Sequence, residues 1–500
     1  MTEQISKPSV DRILSVIPPE RPSPIPSPIP SASRGHEPQH KEFSYWATDI
    51  EGDLPKNLSG TFFRNGPGRL KIGDQQYGHW FDGDGQINAF SFIDGKVHFK
   101  NRFVRTPKYI KETASQKIEY RGFGTQRPGG VLANAFRPPA NPANTNTIYH
   151  GGHLLALNEG GKPYKLDPSN LHTVGEYTYE GALGASHMFS AHGKIEPKSG
   201  YYFNYGSGFS LGSSGLQHQL NLYRIAPSGK LDKKGILPLD SFPFCHDFAM
   251  SDKYAVFFIN SIVAEGLMDV VLGKSTLADS VGYRDHIPMQ IIVVELDTFK
   301  EVRRFQCEPG AMIHFGNAWQ HGDELFVDGM YADNFDANEM IKDVFSSERF
   351  GGGQYRRYRL NLVTGTADFE VMTTVESEFP SFNPLLLGQQ NELTFTACSV
   401  ENGHTSFYNG IQSLSRDGEQ TLVTLEPGYY GSEPLFALAN DSDEERDGYI
   451  LELLYNAFEH RSELAIFSAA NIKQQLCRIK LDHHIPHQFH GFFTRETFAV

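Results

Sequence analysis

From Phe43 onward the chain is a succession of short apolar runs broken by Gly, Pro, Asn and Asp. Tyr201-Tyr202-Phe203, Tyr254-Ala255-Val256-Phe257-Phe258, Gln290-Ile291-Ile292-Val293-Val294, Leu393-Thr394-Phe395-Thr396 and Ile450-Leu451-Glu452-Leu453-Leu454 are typical. Runs of this length, rich in β-branched and aromatic residues and bounded by turn formers, read as strands. They continue to the C-terminus without a linker, which predicts one all-β domain over residues 43–500. A single hydrophobic core does not grow over that length. Radial repetition of small sheets does, so a β-propeller is the expected architecture. The sequence period is too weak to count blades.

Residues 1–42 have another character. Pro22 to Ser31 reads Pro-Ser-Pro-Ile-Pro-Ser-Pro-Ile-Pro-Ser, which predicts extended, unpacked chain. Asp11 to Ile17 has room for one amphipathic turn, too short to be stable alone. The stretch is expected to be a flexible tail.

The net charge of −14 repels phosphate and argues against a nucleic-acid partner. No apolar run approaches the ~18 residues of a membrane span, and no charged start followed by an apolar core marks a secretory leader. Cys245, Cys307, Cys398 and Cys477 form no C-x-x-C pair. At so low a density they are expected to be free thiols in a reducing, cytoplasmic setting.

Four histidines sit far apart in short apolar settings: His192, His246, His314 and His490. Neutral imidazole suits iron, copper, nickel and zinc, and a closed β architecture could bring four distant strands to one axis. The local cluster His483, His484, His487 and His490 is a competing metal site, and spacing does not choose between them. Three other motifs fail on context. His36-Glu37-Pro38-Gln39-His40 matches H-E-x-x-H, but the interior proline opposes the helix that a zinc protease needs. Gly208-Phe209-Ser210-Leu211-Gly212 matches a nucleophile elbow, yet strand-like sequence follows where a helix should begin. Asp82-Gly83-Asp84-Gly85 begins like a calcium loop, but Ile87 falls where the loop glycine belongs, so a tight turn is expected.

Two features bear on apolar ligands. Aromatic residues are abundant, with 37 Phe and 22 Tyr. Most belong in a strand-rich core, and the remainder could line a tunnel. Ile262 to Tyr283 carries Val263, Leu267, Met268, Val270, Val271 and Leu272 with Gly266 and Gly273. It reads either as a buried helix or as an exposed loop that dips into a bilayer surface.

The ordered motifs Asp53-Leu54-Pro55, Leu58-Ser59-Gly60-Thr61-Phe62-Phe63-Arg64-Asn65-Gly66-Pro67-Gly68 and His79-Trp80-Phe81-Asp82-Gly83-Asp84-Gly85 look like the opening signature of the carotenoid cleavage oxygenases. The chain resembles that family over nearly all of Phe43 to Val500. Ala143-Asn144-Thr145-Asn146-Thr147 and the ending His483-His484-Ile485-Pro486 through His490-Gly491 are similar to its cyanobacterial apocarotenoid oxygenases.

The resemblance implies a seven-bladed β-propeller, with a dome of loops and short helices over an axis that carries iron(II). By motif it assigns the ligands to His192, His246, His314 and His490, and carboxylates behind them to Glu159, Glu378 and Glu433. It places Thr145 near the open coordination site and makes Phe81, Phe244 and Phe379 candidates for the tunnel wall. The implied activity is dioxygen-dependent cleavage of a C=C bond of an apocarotenoid or carotenoid, giving two carbonyl products such as retinal-type aldehydes. A stilbene-cleaving dioxygenase with the same metal centre and a non-catalytic lipid-binding propeller are the alternatives. Asn158 stands where the similar sequences have an aromatic, Gln86 where methionine is usual and Ile313 where phenylalanine is found. These departures are expected to border the tunnel and to bear on substrate preference. The Ile262 to Tyr283 region is the expected site of peripheral membrane contact.

Overall fold

The structure, a computed structural model, describes residues 29–212, 215–346, 352–400 and 407–499. Asp11 to Ile17 and most of the Pro-rich run lie outside the described residues.

Seven sheets of four to six antiparallel strands form a seven-bladed β-propeller. In chain order, the inner strands are Asn146–His150, Lys194–Ile195, Ala249–Met250, Ala311–His321 and Ser377–Ser381 for five blades. The other two blades close the ring. One pairs the N-terminal Gly60–Arg69 with the C-terminal Gly491–Thr494, and the next pairs Ile50–Gly52 with Asn471–Lys480. Both joints therefore carry strands from both ends of the chain.

Each pair of neighbouring blades buries its own apolar cluster. Phe63, Ala89, Leu154 and Ala156 fill one interface, Val256, Ile291, Phe315 and Val327 another, and Phe62, Phe90, Leu451 and Leu464 the closing one. This explains the sequence pattern. Strands between two interfaces are buried throughout, as in Gly60–Arg69, while outer strands such as Leu231–Leu239 alternate between half-buried and exposed positions. Asparagines latch blade to blade. Asn65 donates to the carbonyls of Ala143 and Asn146 at 3.0 and 2.9 Å, Asn146 to that of Ala191 at 2.9 Å, and Asn260 to that of Met312 at 3.0 Å.

The tail boundary expected at residue 42 is too late. Ala32 and His36 are each only 1% exposed, and the segment is strapped down by His487 Nε2 donating to Ala32 O, His484 Nε2 to Glu37 O and Tyr430 OH to Pro30 O. The His36 ring packs 4.9 Å from Trp80, so the tail holds an aromatic anchor that its proline content concealed. The tight turn expected at Asp82 is the 3-10 turn Trp80–Asp82. The Asp82 carboxylate is buried and accepts from Phe123 N, Gly124 N and Thr125 Oγ1, pinning a dome loop. Behind it, Asp84 joins Arg69 at 2.6 Å and Lys108 at 3.0 Å, and Lys108 reaches Glu112 at 3.2 Å. This buried network fixes the dome helix Pro107–Ser115, which Thr106 caps by accepting from Tyr109 N.

Ile262 to Tyr283 is a hairpin with a buried base and an exposed tip rather than a buried helix. Ile262–Ala264 pairs with Val281–Tyr283, and a single turn, Leu267–Val271, forms the tip. Met268 is 67% exposed there. A second tip, Gly130–Asn134, lies against it through Phe136 N donating to Val271 O, and it exposes Leu132 and Phe136. The sequence reading missed this second tip because its apolar residues are too few to register alone. Arg121, itself buried, clamps the two by donating to the carbonyls of Asn134, Arg137, Val270 and Ser275.

Candidate metal centre

The inner strands deliver one polar residue each to the axis. Thr145, His192 and His246 precede their inner strands, Glu433 precedes Leu435–Leu438, His490 directly precedes Gly491–Thr494, and His314 and Glu378 lie within theirs. A register shift between Met312 and Phe315 turns His314 inward. The possible ligand nitrogens of His192, His246, His314 and His490 all lie within 4.8 Å of one another. His192 Nε2 is 2.9 Å from His246 Nε2.

Three of the rings are oriented from behind. His314 Nδ1 is 2.7 Å from Glu378 Oε2, His490 Nδ1 is 2.9 Å from Glu433 Oε1, and His246 Nδ1 stands 2.8 Å from Glu159 Oε2. Nδ1 of His314 and of His490 hydrogen-bonds to its carboxylate, which leaves Nε2 of each as a bare lone pair toward the centre. His314 Nε2 is buried with no hydrogen-bond partner. Four imidazole nitrogens crowded this closely, that of His314 buried and unpartnered, are a donor set suited to a cation at their focus, so these residues fit a metal.

Burial pushes His192 far below the ordinary imidazole value, and its three neighbouring histidines add to this. Burial also takes His490 down to about 4 against the pull of Glu433. Both are therefore neutral at pH 7, the state in which imidazole binds metal. Burial acts the same way on His246, but Glu159 together with Asp247 and Glu378 outweighs it and the net shift is upward. Burial raises the Glu433 carboxyl, yet His490 and Arg64 more than offset this and hold it below its usual value.

The rest of the C-terminal histidine run is structural. His483 stacks on Phe43 at 3.8 Å, His484 on His460 at 4.1 Å and His487 on Phe407 at 4.3 Å. The H-E-x-x-H motif ends a 3-10 turn, and the elbow motif lies in Tyr202–Gly212, which hairpins into a further strand. The cysteines are free, as expected.

Of the expected wall residues, Phe379 is at the centre, with its ring 5.0 Å from His314 and 5.5 Å from His490. Its φ of +58° is rare for a bulky residue and marks a strained position held by its surroundings. Phe81 packs 5.4 Å from Phe489, the neighbour of His490. Phe244 stands 5.0 Å from Phe335 in a half-buried, largely aromatic group that also contains Phe123 and the aliphatic Ile313. Thr145 O accepts from His490 N at 3.2 Å. The Asn158 amide donates to Thr145 Oγ1 and Asn144 Oδ1, while its oxygen accepts from Gly160 N. Gln86 does not join this group. It is fully buried with its amide on Gln39 O, where it helps hold the strap.

The sequence reading missed two charged residues. Arg64 is fully buried and reaches Glu433 at 2.7 Å. Asp247 is 3% exposed and reaches Lys194 at 2.9 Å. Their signals were present, Arg64 inside the Phe62-Phe63-Arg64-Asn65 motif and Asp247 directly after His246.

The family described as retinal pigment epithelial membrane protein matches residues 36–495. Apocarotenoid-15,15'-oxygenase of Synechocystis is 36% identical over 470 residues, covering 92% of this chain and 95% of that protein. Lignostilbene-alpha,beta-dioxygenase isozyme III of Sphingomonas paucimobilis is 26% identical, covering 89% and 92%. Among solved structures, cobalt-substituted Synechocystis apocarotenoid oxygenase superposes with a TM-score of 0.85 at 34% identity, covering 92% of this chain and 98% of that one. The chain belongs to the retinal pigment epithelial membrane protein family, the carotenoid oxygenases.

Proposed function

We propose that the protein is an iron(II) dioxygenase that cleaves a C=C bond of an apocarotenoid to give two carbonyl products. The convergence of His192, His246, His314 and His490, three of them backed by Glu159, Glu378 and Glu433, carries this reading. Those histidines would hold the metal, which would supply dioxygen binding and activation beside the double bond. Iron is favoured over zinc because the activity of the 36% identical relative, an oxygenase, requires oxygen chemistry.

The chain's own part is positioning and exclusion of water. Phe379 offers an aromatic face beside His314 and His490, suited to a flat polyene and to positive charge developing on it. Phe81, and Phe244 with its half-buried aromatic group, extend this apolar wall. Thr145 stands beside the histidines with its hydroxyl tied to Asn144 and Asn158, leaving it no role as a proton donor to substrate. The exposed Leu132, Phe136, Met268 and Val271 form a paired apolar tip suited to a bilayer surface, from which a lipid-like substrate would be drawn. Among the described residues no helix is long and apolar enough to cross a membrane. The free thiols suit a reducing, cytoplasmic location.

Apocarotenals, full-length carotenoids and phenolic stilbenes offered to iron-loaded protein, with oxygen uptake and product masses recorded, test the assignment. Cleavage of apocarotenals with loss of oxygen is expected. Reaction with stilbenes alone would move the substrate class, and bleaching by iron-free protein would end the metal role.

A further inference from the structure

His192 differs from the other three histidines. Among the described residues no carboxylate lies within ion-pair distance of its ring, whereas the others each face a glutamate. It also lies in a loop, with Lys194–Ile195, the short inner strand of its blade, only beginning two residues later. Something else must hold its ring to the focus.

The buried carboxylate of Asp247 meets three blades at once. Its Oδ1 forms an ion pair with Lys194 Nζ at 2.9 Å and accepts from Phe248 N at 2.7 Å, and its Oδ2 accepts from Phe315 N at 3.0 Å. Lys194 is two residues from His192, Asp247 is next to His246, and Phe315 is next to His314. One anion thus ties together the segments that present three of the four imidazoles. Lys194 is only partly exposed, at 19%, and Asp247 is 3% exposed, so the pair is shielded from the screening that weakens surface ion pairs.

We propose that the Asp247–Lys194 pair is the positioning device for His192, taking the place of the fourth carboxylate and setting its spacing from His246 and His314. The inference rests on the metal-centre reading above. It requires that loss of the pair loosen the metal without touching any ligand.

The test uses the full chain, stripped of metal and titrated with cobalt(II), comparing wild type with Asp247→Asn, Lys194→Met, Lys194→Arg and the Asp247→Asn/Lys194→Met double variant. The visible cobalt spectrum, the rate of cobalt release to a chelator and the melting temperature of the metal-free protein are recorded. Asp247→Asn is expected to speed release about 10-fold or more, in the range seen when residues behind a ligand are changed. Lys194→Met should speed it as well, Lys194→Arg should restore near wild-type release, and the double variant should be no worse than Asp247→Asn, because the two act as one unit. An unchanged spectrum and release rate in folded Asp247→Asn, even with a lower melting temperature, would overturn the proposal and leave only a structural role. Should Asp247→Asn fail to fold, Lys194→Met decides by the same readout. If wild type takes up no cobalt, the metal-centre reading falls and this inference falls with it.

Discussion

Arg64 and Glu433 form a buried pair, with Arg64 Nη1 2.7 Å from Glu433 Oε2, while the other carboxylate oxygen holds His490 Nδ1 at 2.9 Å. Arg64 is entirely enclosed, so its charge depends on this partner. Glu433 is therefore both the support of a metal-facing imidazole and the counter-ion of a buried cation. Replacing Glu433 by Gln should weaken cobalt or iron affinity roughly 10- to 100-fold. Replacing Arg64 by Met takes the buried counter-ion from the Glu433 carboxylate, and should destabilise the fold by about 3–5 kcal/mol. Metal titration and urea unfolding measure the two effects; a Glu433→Gln protein with wild-type affinity would contradict the orienting role.

His490 and His487 should part company on substitution. His490→Ala should abolish stoichiometric metal binding, because its Nε2 faces the focus. His487 donates to Ala32 O and stacks on Phe407, so His487→Ala should keep the metal and lose about 1–3 kcal/mol of stability as a buried carbonyl is left unpaired. Metal content per chain and denaturant midpoints distinguish them, and metal loss in His487→Ala would return the ligand choice to the whole histidine run.

Phe379 should matter to substrate and not to metal. Its ring is close to two histidines but offers no ligand atom. Phe379→Leu should retain full metal content and lower kcat/KM for an apocarotenal by about 5-fold, since an aromatic contact of this kind contributes about 1 kcal/mol. Steady-state kinetics beside metal analysis checks this.

Glu452 gives the stability a pH dependence of unusual sign. The residue is fully buried, and desolvation pushes its carboxyl up to about 8, opposed by Ser432 N and Arg64. Between its ordinary value of 4.5 and about 8 the folded state keeps a proton that the unfolded state has lost. Stability from this group is complete below that interval and falls as pH rises through it, by at most about 1.4 kcal/mol per pH unit. Glu452→Gln keeps the neutral shape and removes the slope. Relative to wild type, the variant should gain stability steadily from pH 5 to pH 8 in paired urea titrations, and a constant difference would refute the assignment.

The strand pattern was legible in the sequence because each blade strand carries its own apolar run, and the repetition over more than one core's length pointed to a propeller. The residue types at the site were legible too, through motifs around His192, His246, His314 and His490 and the three glutamates. Their meeting was not. These residues span Glu159 to His490, and only closure of the ring by strands from both chain ends brings them to one axis. Burial was likewise decided by packing. It made His484 and His487 into props for a strap that composition alone described as loose, stacked His483 on Phe43, and left His490 facing the focus. It separated Gln86 from the site and fixed Asn158 onto Thr145. The local sequence determines strands and candidate donors, because these depend on neighbours a few residues away. Which donors face one another depends on contacts between residues far apart in the chain, and those exist only in the closed fold.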